Sequence, residues 1–504
     1  MMSETIQFGY GQTVAQMDLG KVNRHGIIAG ATGTGKTVTL KVLAEQFSRA
    51  GIPVFLSDIK GDLMSLAEAN TGEGMEERLS QTHYETYEPQ AFPVEIWDIF
   101  GQEGTALRFT ISEMGPILLT NILGLNDVQE SILNIVFDVA DKQGLLLIDL
   151  MDLRAMLNYV AEHAKELSQH YGNISTRSVG AILRSLVVLE KQGGDQFFAE
   201  PNIDIQDFMR QDDQGMGMIN ILNAKNLYTQ PTMYSMVLFA LLSELYEVLP
   251  EEGDLDKPKM VFFFDEAHTL FNDTPKALVE KIELVVRLIR SKGIGVFFIT
   301  QNPTDIPDQV ANQLGNRIQH GLRSFTPKEA KVIKAVSETF RQEEGTDLAQ
   351  TIQDLQVGEA VVSVLAEDGT PTVADKVMIY PPMSKIGTIE PSLLMKLINQ
   401  SPMADKYAEI DNRESAHEMI LKATQEQEQV LIEESKQAPE EEASQDQPSI
   451  LEKMLGGNQT SSTRKSSSRR TDSAMDRLTK NMMSQVGREL GRILTRSITG
   501  MMKK

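Results

Sequence analysis

An eight-residue string near the start of the chain constrains the fold most. It reads Gly30-Ala31-Thr32-Gly33-Thr34-Gly35-Lys36-Thr37 and fits the pattern G-x-x-x-x-G-K-[ST] at every fixed position. Glycines let the backbone wrap closely and direct consecutive N–H groups at phosphate oxygens, and a following helix adds its positive N-terminal end. Residues 25–29 are strand-like and residues 38–47 suit a helix. The context therefore predicts a strand, a phosphate-binding loop and a helix.

All eight residues of the string are predicted to contact a nucleotide. Lys36 is expected to reach the β- and γ-phosphates, and the hydroxyl of Thr37 is expected to bind Mg²⁺. An ordinary glycine turn is the alternative, but the strand and helix on either side favour the phosphate loop. The predicted cofactors are therefore ATP and Mg²⁺.

Two acidic residues follow a strongly apolar run at residues 260–264. In an enzyme with a phosphate loop, the first acid, Asp265, would hold Mg²⁺, and the second, Glu266, would polarise the water that attacks the γ-phosphate. Taken alone, the pair could be a solvated strand end, and only the phosphate loop upstream favours the catalytic interpretation. His268 completes the string Asp-Glu-Ala-His, and we interpret it as a polar residue at a helix start that couples neighbouring side chains, with a catalytic histidine as the alternative.

Further polar residues follow two other apolar runs. Gln301 comes directly after residues 295–300, and ligands of open α/β sheets bind where the strands end. We expect its amide to sense the γ-phosphate or to orient the attacking water, with a plain loop glutamine as the alternative. Residues 58–62, DIKGD, follow another run, and the sequence leaves open whether they line this edge or form a plain turn.

Arginines are a further class of candidates, because ATPases that transfer phosphoryl groups often use an arginine supplied by a neighbouring subunit. Arg287, Arg290, Arg317 and Arg323 are the candidates. Arg323 and Arg317 rank highest because they flank the strand expected after Gln301.

Short apolar runs alternate with helical patterns, which predicts an α/β fold with a mostly parallel sheet. The expected strands are Gly26–Ala29, Val54–Ser57, Met218–Leu222, Val261–Phe264, Val296–Thr300 and Arg317–Leu322, and an antiparallel hairpin of Gly358–Leu365 and Thr372–Ile379 closes the sheet. Between these runs, residues 111–214 show helical periodicity and are expected to form an all-α insertion. The ATPase core would then consist of residues 1–110 and 215–385.

The C-terminal part of the chain differs in composition. Residues 386–455 are expected to form a polar helical or linker region, and residues 456–504 a serine-rich linker followed by a basic amphipathic helix. Residues 453–504 hold twelve basic and three acidic side chains, whereas the whole chain has a net charge of −23. The basic helix could pack against the assembled protein as an oligomerisation element, bind DNA or another acidic partner, or lie on anionic lipid.

Composition limits the remaining possibilities. The chain has no cysteine, which excludes disulfides, thiolate metal sites and thiol catalysis. An apolar fraction of 41% is too high for a fully disordered chain. We find neither a secretory signal nor an apolar run long enough to span a membrane, and we expect a cytoplasmic protein.

Taken together, the motifs resemble those of the HerA/FtsK superfamily of P-loop ATPases, and in particular bacterial HerA-like helicase-domain proteins. The segments that carry the resemblance are GATGTGKT at 30–37, DIKGDL at 58–63, FFFDEAH at 262–268, RLIRSKGIGVFFITQNPTDIP at 287–307 and LGNRIQHGLR at 314–323. The resemblance implies a RecA-like core that assembles as a ring, normally a hexamer. It also implies ATP bound between subunits, an arginine finger from the neighbour, and duplex DNA that is pumped or unwound through the ring.

The sequence also bears on two other interpretations. The string Asp-Glu-Ala-His resembles superfamily 2 RNA helicases, but these need a second RecA-like domain, and too little α/β sequence follows Gln301 to form one. An ATP-driven switch or scaffold that acts on a protein or membrane partner, without moving DNA, remains the alternative function. Stimulation of ATP turnover by duplex DNA would distinguish the motor from the scaffold.

Overall fold

A computed structural model describes residues 4–253, 255–271, 276–408 and 413–437 of the chain. Its main feature is a single twelve-stranded sheet. The strands are β1 (Thr5–Tyr10), β2 (Val14–Asp18), β3 (Gly26–Ala29), β4 (Val54–Asp58), β5 (Val94–Asp98), β6 (Thr105–Ala106), β7 (Ile219–Asn223), β8 (Met260–Phe264), β9 (Ile294–Thr300), β10 (Asn316–His320), β11 (Glu359–Ser363) and β12 (Asp375–Ile379).

The strand order is β2-β1-β12-β11-β10-β3-β9-β8-β4-β7-β5-β6. The eight strands from β10 to β6 pair in parallel, and the four strands from β2 to β11 pair antiparallel with their neighbours. Ala29, at the end of β3, pairs with Thr300 of β9 on one side and Gln319 of β10 on the other. The carboxyl ends of these strands therefore meet at one edge of the sheet.

The helices are α1 (Lys36–Arg49), α2 (Glu76–Thr82), α3 (Ile111–Ile122), α4 (Asp127–Gln143), α5 (Leu150–Glu162), α6 (Ala164–Tyr171), α7 (Thr176–Leu189), α8 (Asp195–Phe197), α9 (Pro231–Val248), α10 (Lys276–Ile289), α11 (Asp308–Ala311), α12 (Pro327–Ser337), α13 (Leu348–Asp354), α14 (Pro391–Gln400), α15 (Pro402–Ala408) and α16 (Ala416–Gln437). Across the described ranges, no helix combines the length and hydrophobicity that crossing a bilayer requires.

The centre of the sheet is covered on both faces, which explains why its strands read as continuous apolar runs. All five residues of β8 are buried. On one face, Phe47 of α1 lies 6.2 Å from Phe263 and 6.3 Å from Phe297, measured between ring centroids. On the other face, the rings of Phe55 and Phe262 stack at 4.9 Å. This packing fixes β8 beside β9 and β4 in the middle of the sheet.

The α/β fold class with a mostly parallel sheet is confirmed. Each predicted strand overlaps an observed one, and β11 and β12 form the expected antiparallel hairpin. Strands β1, β2, β5 and β6 were not predicted from the sequence. In β5, the buried acids Glu95 and Asp98 interrupt the apolar pattern. Glu95 pairs with Arg210, a residue far away in the sequence, at 3.3 Å, and Asp98 accepts the backbone N–H groups of Phe100, Gln102 and Glu103 in the turn that follows.

Residues 111–197 carry α3 to α8, and no strand lies in this described stretch. By contacts, the chain divides into a larger unit, residues 1–137, 148–150 and 176–413, and a smaller unit, residues 138–147, 151–175 and 414–504. The domain boundaries expected from the sequence stay a prediction.

The larger unit contains the whole sheet. The described part of the smaller unit is helical, and the carboxylate of Asp152 accepts a hydrogen bond from the backbone N–H of His417 at 2.8 Å. The basic C-terminal helix expected within 456–504 lies outside the described residues.

Helix α1 is tied to the segment that follows β12. The buried carboxylate of Glu45 accepts hydrogen bonds from the backbone N–H of Met383 at 2.8 Å and of Ser384 at 3.0 Å. One turn earlier, the buried ammonium of Lys41 donates to the hydroxyl of Ser65 at 2.8 Å. Burial lowers the pKa of Lys41 to about 8 and raises the pKa of Glu45. Both charges are hydrogen-bonded, so α1 and this segment are held together by polar contacts as well as by apolar packing.

Candidate active site

The loop of residues 30–37 joins β3 to α1 at the carboxyl edge of the sheet. Gly33 and Gly35 have φ angles of +76° and +114°, which residues with a side chain rarely adopt. At Gly30, a Cβ atom would lie only 2.5 Å from the Cβ of His320. The glycines of the motif are therefore required by backbone conformation and by close approach of the next strand.

Hydrogen bonds fix this loop to both neighbouring strand ends. The N–H of Gly30 donates to the carbonyl of Thr300 at 3.3 Å, and the N–H of Ala31 donates to the carbonyl of Gly321 at 3.0 Å. The ammonium of Lys36 donates to the carbonyls of Gly30 at 2.6 Å and Ala31 at 3.0 Å. The lysine therefore lies over the concave backbone of its own loop.

Asp265 and Glu266 follow β8, as predicted. Burial raises the pKa of Asp265 to about 7, and the neighbouring charge of Glu266 adds to the shift. One oxygen of Asp265 accepts the N–H of Glu266 at 2.9 Å. The backbone carbonyl of Asp265 accepts the hydroxyl of Tyr234 at 3.1 Å, and that hydroxyl also contacts Ser57 Oγ at 2.8 Å. Hydrogen bonds through Tyr234 of α9 and Ser57 of β4 thus fix the backbone of Asp265 at the end of β8.

Two side chains from different loops meet at the carboxylate of Glu266, which is only 6% exposed. Gln301 Nε2 donates to its two oxygens at 3.2 and 3.3 Å. Lys60 Nζ forms an ion pair with Oε1 at 3.2 Å. Gln301 Oε1 in turn accepts the hydroxyl of Thr32 at 3.3 Å. One amide therefore links the phosphate loop to the second acid of the pair.

The turn after β4 explains how Lys60 reaches this point. The carboxylate of Asp58 is buried and accepts the N–H groups of Gly61 at 2.6 Å, Leu63 at 3.0 Å and Met64 at 3.1 Å. Burial raises the pKa of Asp58, whereas these three bonds favour its charged form. Gly61 has a φ angle of +80°. The DIKGD segment, which the sequence left between a plain turn and a site element, is a rigid turn that directs Lys60 at Glu266.

A sequence profile of the helicase HerA-like C-terminal family matches residues 4–504. The chain belongs to this family. The predicted resemblance to the HerA/FtsK type of P-loop ATPase is therefore confirmed.

Two curated proteins named DNA double-strand break repair helicase HerA are among its relatives. The protein from Saccharolobus solfataricus is 21% identical over 387 residues, which cover 75% of this chain and 67% of the relative. The protein from Sulfolobus acidocaldarius is 22% identical over 367 residues, which cover 68% of this chain and 63% of the relative. The chain thus spans about two thirds of the length of these relatives.

Among solved structures, the fold is similar to that of the bacterial conjugative coupling protein TrwB. The unbound form matches with a TM-score of 0.51 at 14% identity, covering 77% of this chain and 90% of the other. The form in complex with ADP and Mg²⁺ matches with a TM-score of 0.50 at 14% identity, covering 73% and 88%. At this level of identity, the similarity confirms the RecA-like fold class and nothing finer.

The two arginines ranked highest for this HerA-like chain donate to backbone carbonyls. Arg317 is half-buried and donates to the carbonyl of Ala311 at 3.2 Å. Arg323 is exposed and donates to the carbonyls of Gln353 and Leu355. In the described residues, neither guanidinium bonds to a side chain at the acid pair. Arg287 is exposed on α10 and lines a polar groove between α3, α10 and α11.

His268 lies beside the acid pair. Its Nδ1 is 3.5 Å from Glu266 Oε2, and in the described part of the chain this buried atom has no hydrogen-bond partner. The histidine follows the first residue of a short 3-10 helix, Ala267–Leu270. Its position agrees with the expected polar residue at a helix start.

A second histidine, His320, packs against the phosphate loop at Gly30 and was not found from the sequence. Its Nε2 contacts the hydroxyl of Thr39 at 2.8 Å, and its Nδ1 contacts the carbonyl of Glu359 at 2.8 Å. Burial lowers the pKa of His320 to about 4, so the ring is neutral at physiological pH. His320 lies in the segment LGNRIQHGLR at 314–323, but no spacing rule in that segment assigns the histidine a role.

Proposed function

We propose that this HerA-like chain is a Mg²⁺-dependent ATPase that assembles as a ring and moves or unwinds duplex DNA. The observation that carries the hydrolytic part is the contact of Glu266 with both Gln301 and Lys60, directly beside Asp265. A strand-end carboxylate bonded to the side chains of two neighbouring strand loops is an arrangement suited to a positioned base.

The loop of residues 30–37 fits a polyphosphate. Its glycines leave the backbone open, and the ammonium of Lys36 lies over the loop carbonyls at 2.6 and 3.0 Å. Thr37 and Asp265 provide a hydroxyl and a carboxylate, the oxygen ligands that Mg²⁺ prefers. When bound, Mg·ATP supplies the phosphoryl group for transfer, with its charge neutralised by the ion. In this proposal, Gly30 to Thr37 bind the phosphates, and Thr37 and Asp265 hold the metal.

Glu266 is assigned the role of general base. Its carboxylate would accept a proton from the attacking water, and the amide of Gln301 would hold both the carboxylate and the water in place. Because Gln301 also bonds to Thr32 of the phosphate loop, the position of the amide depends on the loop. Lys36 would stabilise the charge that develops on the phosphoryl oxygens.

A ring is proposed because the HerA/FtsK resemblance implies a hexamer with an arginine supplied between subunits. Arg323 is the first candidate, since it is exposed and held by two backbone carbonyls. Arg317 is the second candidate. Arg323 follows β10, the strand next to the phosphate loop, so an adjacent subunit could be reached from this edge, whereas Arg317 lies within β10 near its amino end.

Duplex DNA is proposed as the substrate on two grounds: the resemblance, and relatives that are named DNA double-strand break repair helicases. We also propose a cytoplasmic location, on the ground that the chain has no cysteine. The contrast between an acidic chain and a basic C-terminal segment favours a second candidate, an ATP-driven scaffold that binds an anionic partner through residues 456–504.

Steady-state ATP hydrolysis tests the proposal. The purified protein and the Lys36→Ala variant are compared with and without long duplex DNA at two salt concentrations, and the particle mass is measured by light scattering. We expect Mg²⁺-dependent hydrolysis that is lost in Lys36→Ala, salt-sensitive stimulation by DNA and the mass of a hexamer. A hydrolysis rate that does not change with DNA would keep the ATPase assignment and favour the scaffold over the DNA motor. Equal hydrolysis by both proteins would reject the ATPase.

A further inference from the structure

Two glycines and an arginine form a stack against the phosphate loop, on the side away from the acid pair. A Cβ atom at Gly35 would lie 3.1 Å from Gly358 Cα, and the N–H of Gly358 donates to the carbonyl of Thr34 at 3.0 Å. On its other side, a Cβ atom at Gly358 would lie 2.6 Å from Nη2 of Arg78. The guanidinium of Arg78 is therefore separated from the loop by a single glycine residue.

The guanidinium is only partly satisfied. Nη2 of Arg78 donates to the carbonyl of Val357 at 3.0 Å. Nη1 is buried and, among the described residues, has no hydrogen-bond partner. Buried donors are normally paired, because an unpaired one loses its hydration without compensation. Val357, whose carbonyl accepts the hydrogen bond from Nη2, has an apolar side chain that is 66% exposed.

The strand order gives the direction in which a bound nucleotide must run. The acid pair lies on β8, separated from β3 by β9, and defines where the γ-phosphate reacts. On the opposite side of β3 come β10 and then β11, and Gly358 is the residue directly before β11. A polyphosphate with its γ end toward β8 therefore directs its nucleoside end toward β11, where an exposed apolar side chain and an unpaired donor lie together.

We propose that Arg78 and Val357 form the nucleoside-binding part of the site, with Val357 packing against the base and Arg78 Nη1 donating to a base or ribose acceptor. This inference rests on the proposed ATPase function and adds the residues that recognise the nucleoside. It places Arg78 in substrate binding and outside the chemical step.

The test separates nucleoside contacts from phosphate contacts. For Arg78→Ala, the KM for Mg·ATP is expected to rise about tenfold, the size of one lost bond to a charged donor, while kcat changes by less than about twofold. Inhibition constants are measured for ADP, which has a nucleoside, and for inorganic tripolyphosphate, which has none. ADP should bind about tenfold more weakly and tripolyphosphate should bind unchanged.

Val357→Ser provides a second variant at an exposed position, in case Arg78→Ala does not fold. It should also raise the KM for Mg·ATP and leave the inhibition constant of tripolyphosphate unchanged. Arg177→Ala removes the same charge from an exposed position on α7 and serves as the control. The inference is overturned if the KM is unchanged in both site variants, or if the binding of tripolyphosphate weakens as much as the binding of ADP. If the unmodified protein does not hydrolyse ATP, or Lys36→Ala hydrolyses it equally, the proposed function fails instead.

Discussion

The two flanks of the phosphate loop are built from different kinds of interaction. The acid flank, made of Asp265, Glu266, Gln301 and Lys60, is a network of charged and amide groups bonded to one another. The loop flank, made of Gly358, Arg78 and His320, consists of close backbone contacts, a neutral ring and an arginine bonded to a carbonyl. Charges suited to chemistry are thus concentrated on one side, and the other side fixes the shape of the loop.

Replacing the base should produce the largest effect, and only on the acid flank. Glu266→Gln keeps the size of the side chain but cannot accept the proton of water, so we expect kcat to fall about 10³-fold with nucleotide affinity retained. Single-turnover hydrolysis and nucleotide titration measure the two quantities. Glu280→Gln, at an exposed position on α10, is the control. Normal turnover by Glu266→Gln would reject the assignment of the base.

The loop flank should respond to pH through His320. Its pKa is about 4 in the folded protein and ordinarily 6.5, so below pH 6.5 the unfolded chain binds a proton that the folded chain does not. The stability is therefore complete above pH 6.5 and is lost as the pH falls toward 4, by about 3 kcal/mol.

The measurement is the free energy of unfolding from pH 7.5 to 4.5, for the unmodified protein and for His320→Gln. The variant should be less sensitive to acid, so the difference between the two proteins narrows as the pH falls. For His170→Gln, at an exposed position, the free energy of unfolding should depend on pH in the same way as for the unmodified protein. Parallel curves for His320→Gln would contradict the neutral buried ring.

Lys60 tests whether the acid flank needs its cation. Lys60→Met removes the charge next to Glu266 Oε1 and keeps most of the length of the side chain. We expect kcat to fall about tenfold with little change in the KM, because the ion pair orients the carboxylate. Lys60→Arg should recover most of the loss. A rise in the KM without a change in kcat would place Lys60 on the nucleotide instead.

The smallest effect is expected at Gly358, which has a φ angle of +81°. Gly358→Ala should cost about 1 kcal/mol of stability from backbone strain and should raise the KM for ATP about threefold by displacing Arg78. Gly369 has the same φ angle of +81° but no atom near its Cβ position, so Gly369→Ala should show the strain alone. Equal KM values for the two variants would show that the contact between Gly358 and Arg78 does not affect ATP binding.

The contrast between the flanks also explains what the sequence could predict. Asp265, Glu266 and Gln301 each follow an apolar run directly, and the carboxyl ends of parallel strands meet at one edge, so local patterns sufficed to place them together. The same reasoning placed the DIKGD segment near this edge without deciding its role, because the contact of Lys60 depends on the turn that Asp58 organises.

Arg78, Gly358 and His320 could not be found in this way. Arg78 belongs to a seven-residue helix, and Gly358 lies 280 positions further along the chain, so only the folded sheet brings them together. Their residue types are common and carry no spacing rule. The hairpin of β1 and β2 was also not predicted. Its two strands are only six and five residues long, which is too short for an alternation of buried and exposed residues to be recognised in the sequence.

Helix α1 is a stiff rod with a functional group near each end. Lys36 is its first residue, and Glu45, nine residues and roughly 14 Å further along, grips the backbone of Met383 and Ser384. A tilt of the rod about its phosphate end therefore displaces Ser384 by about 1 Å for every 4° of rotation, by simple leverage over that length. Because the same helix carries Lys36 and Glu45, any rotation of α1 about the phosphate loop would also move the chain that follows the closing hairpin.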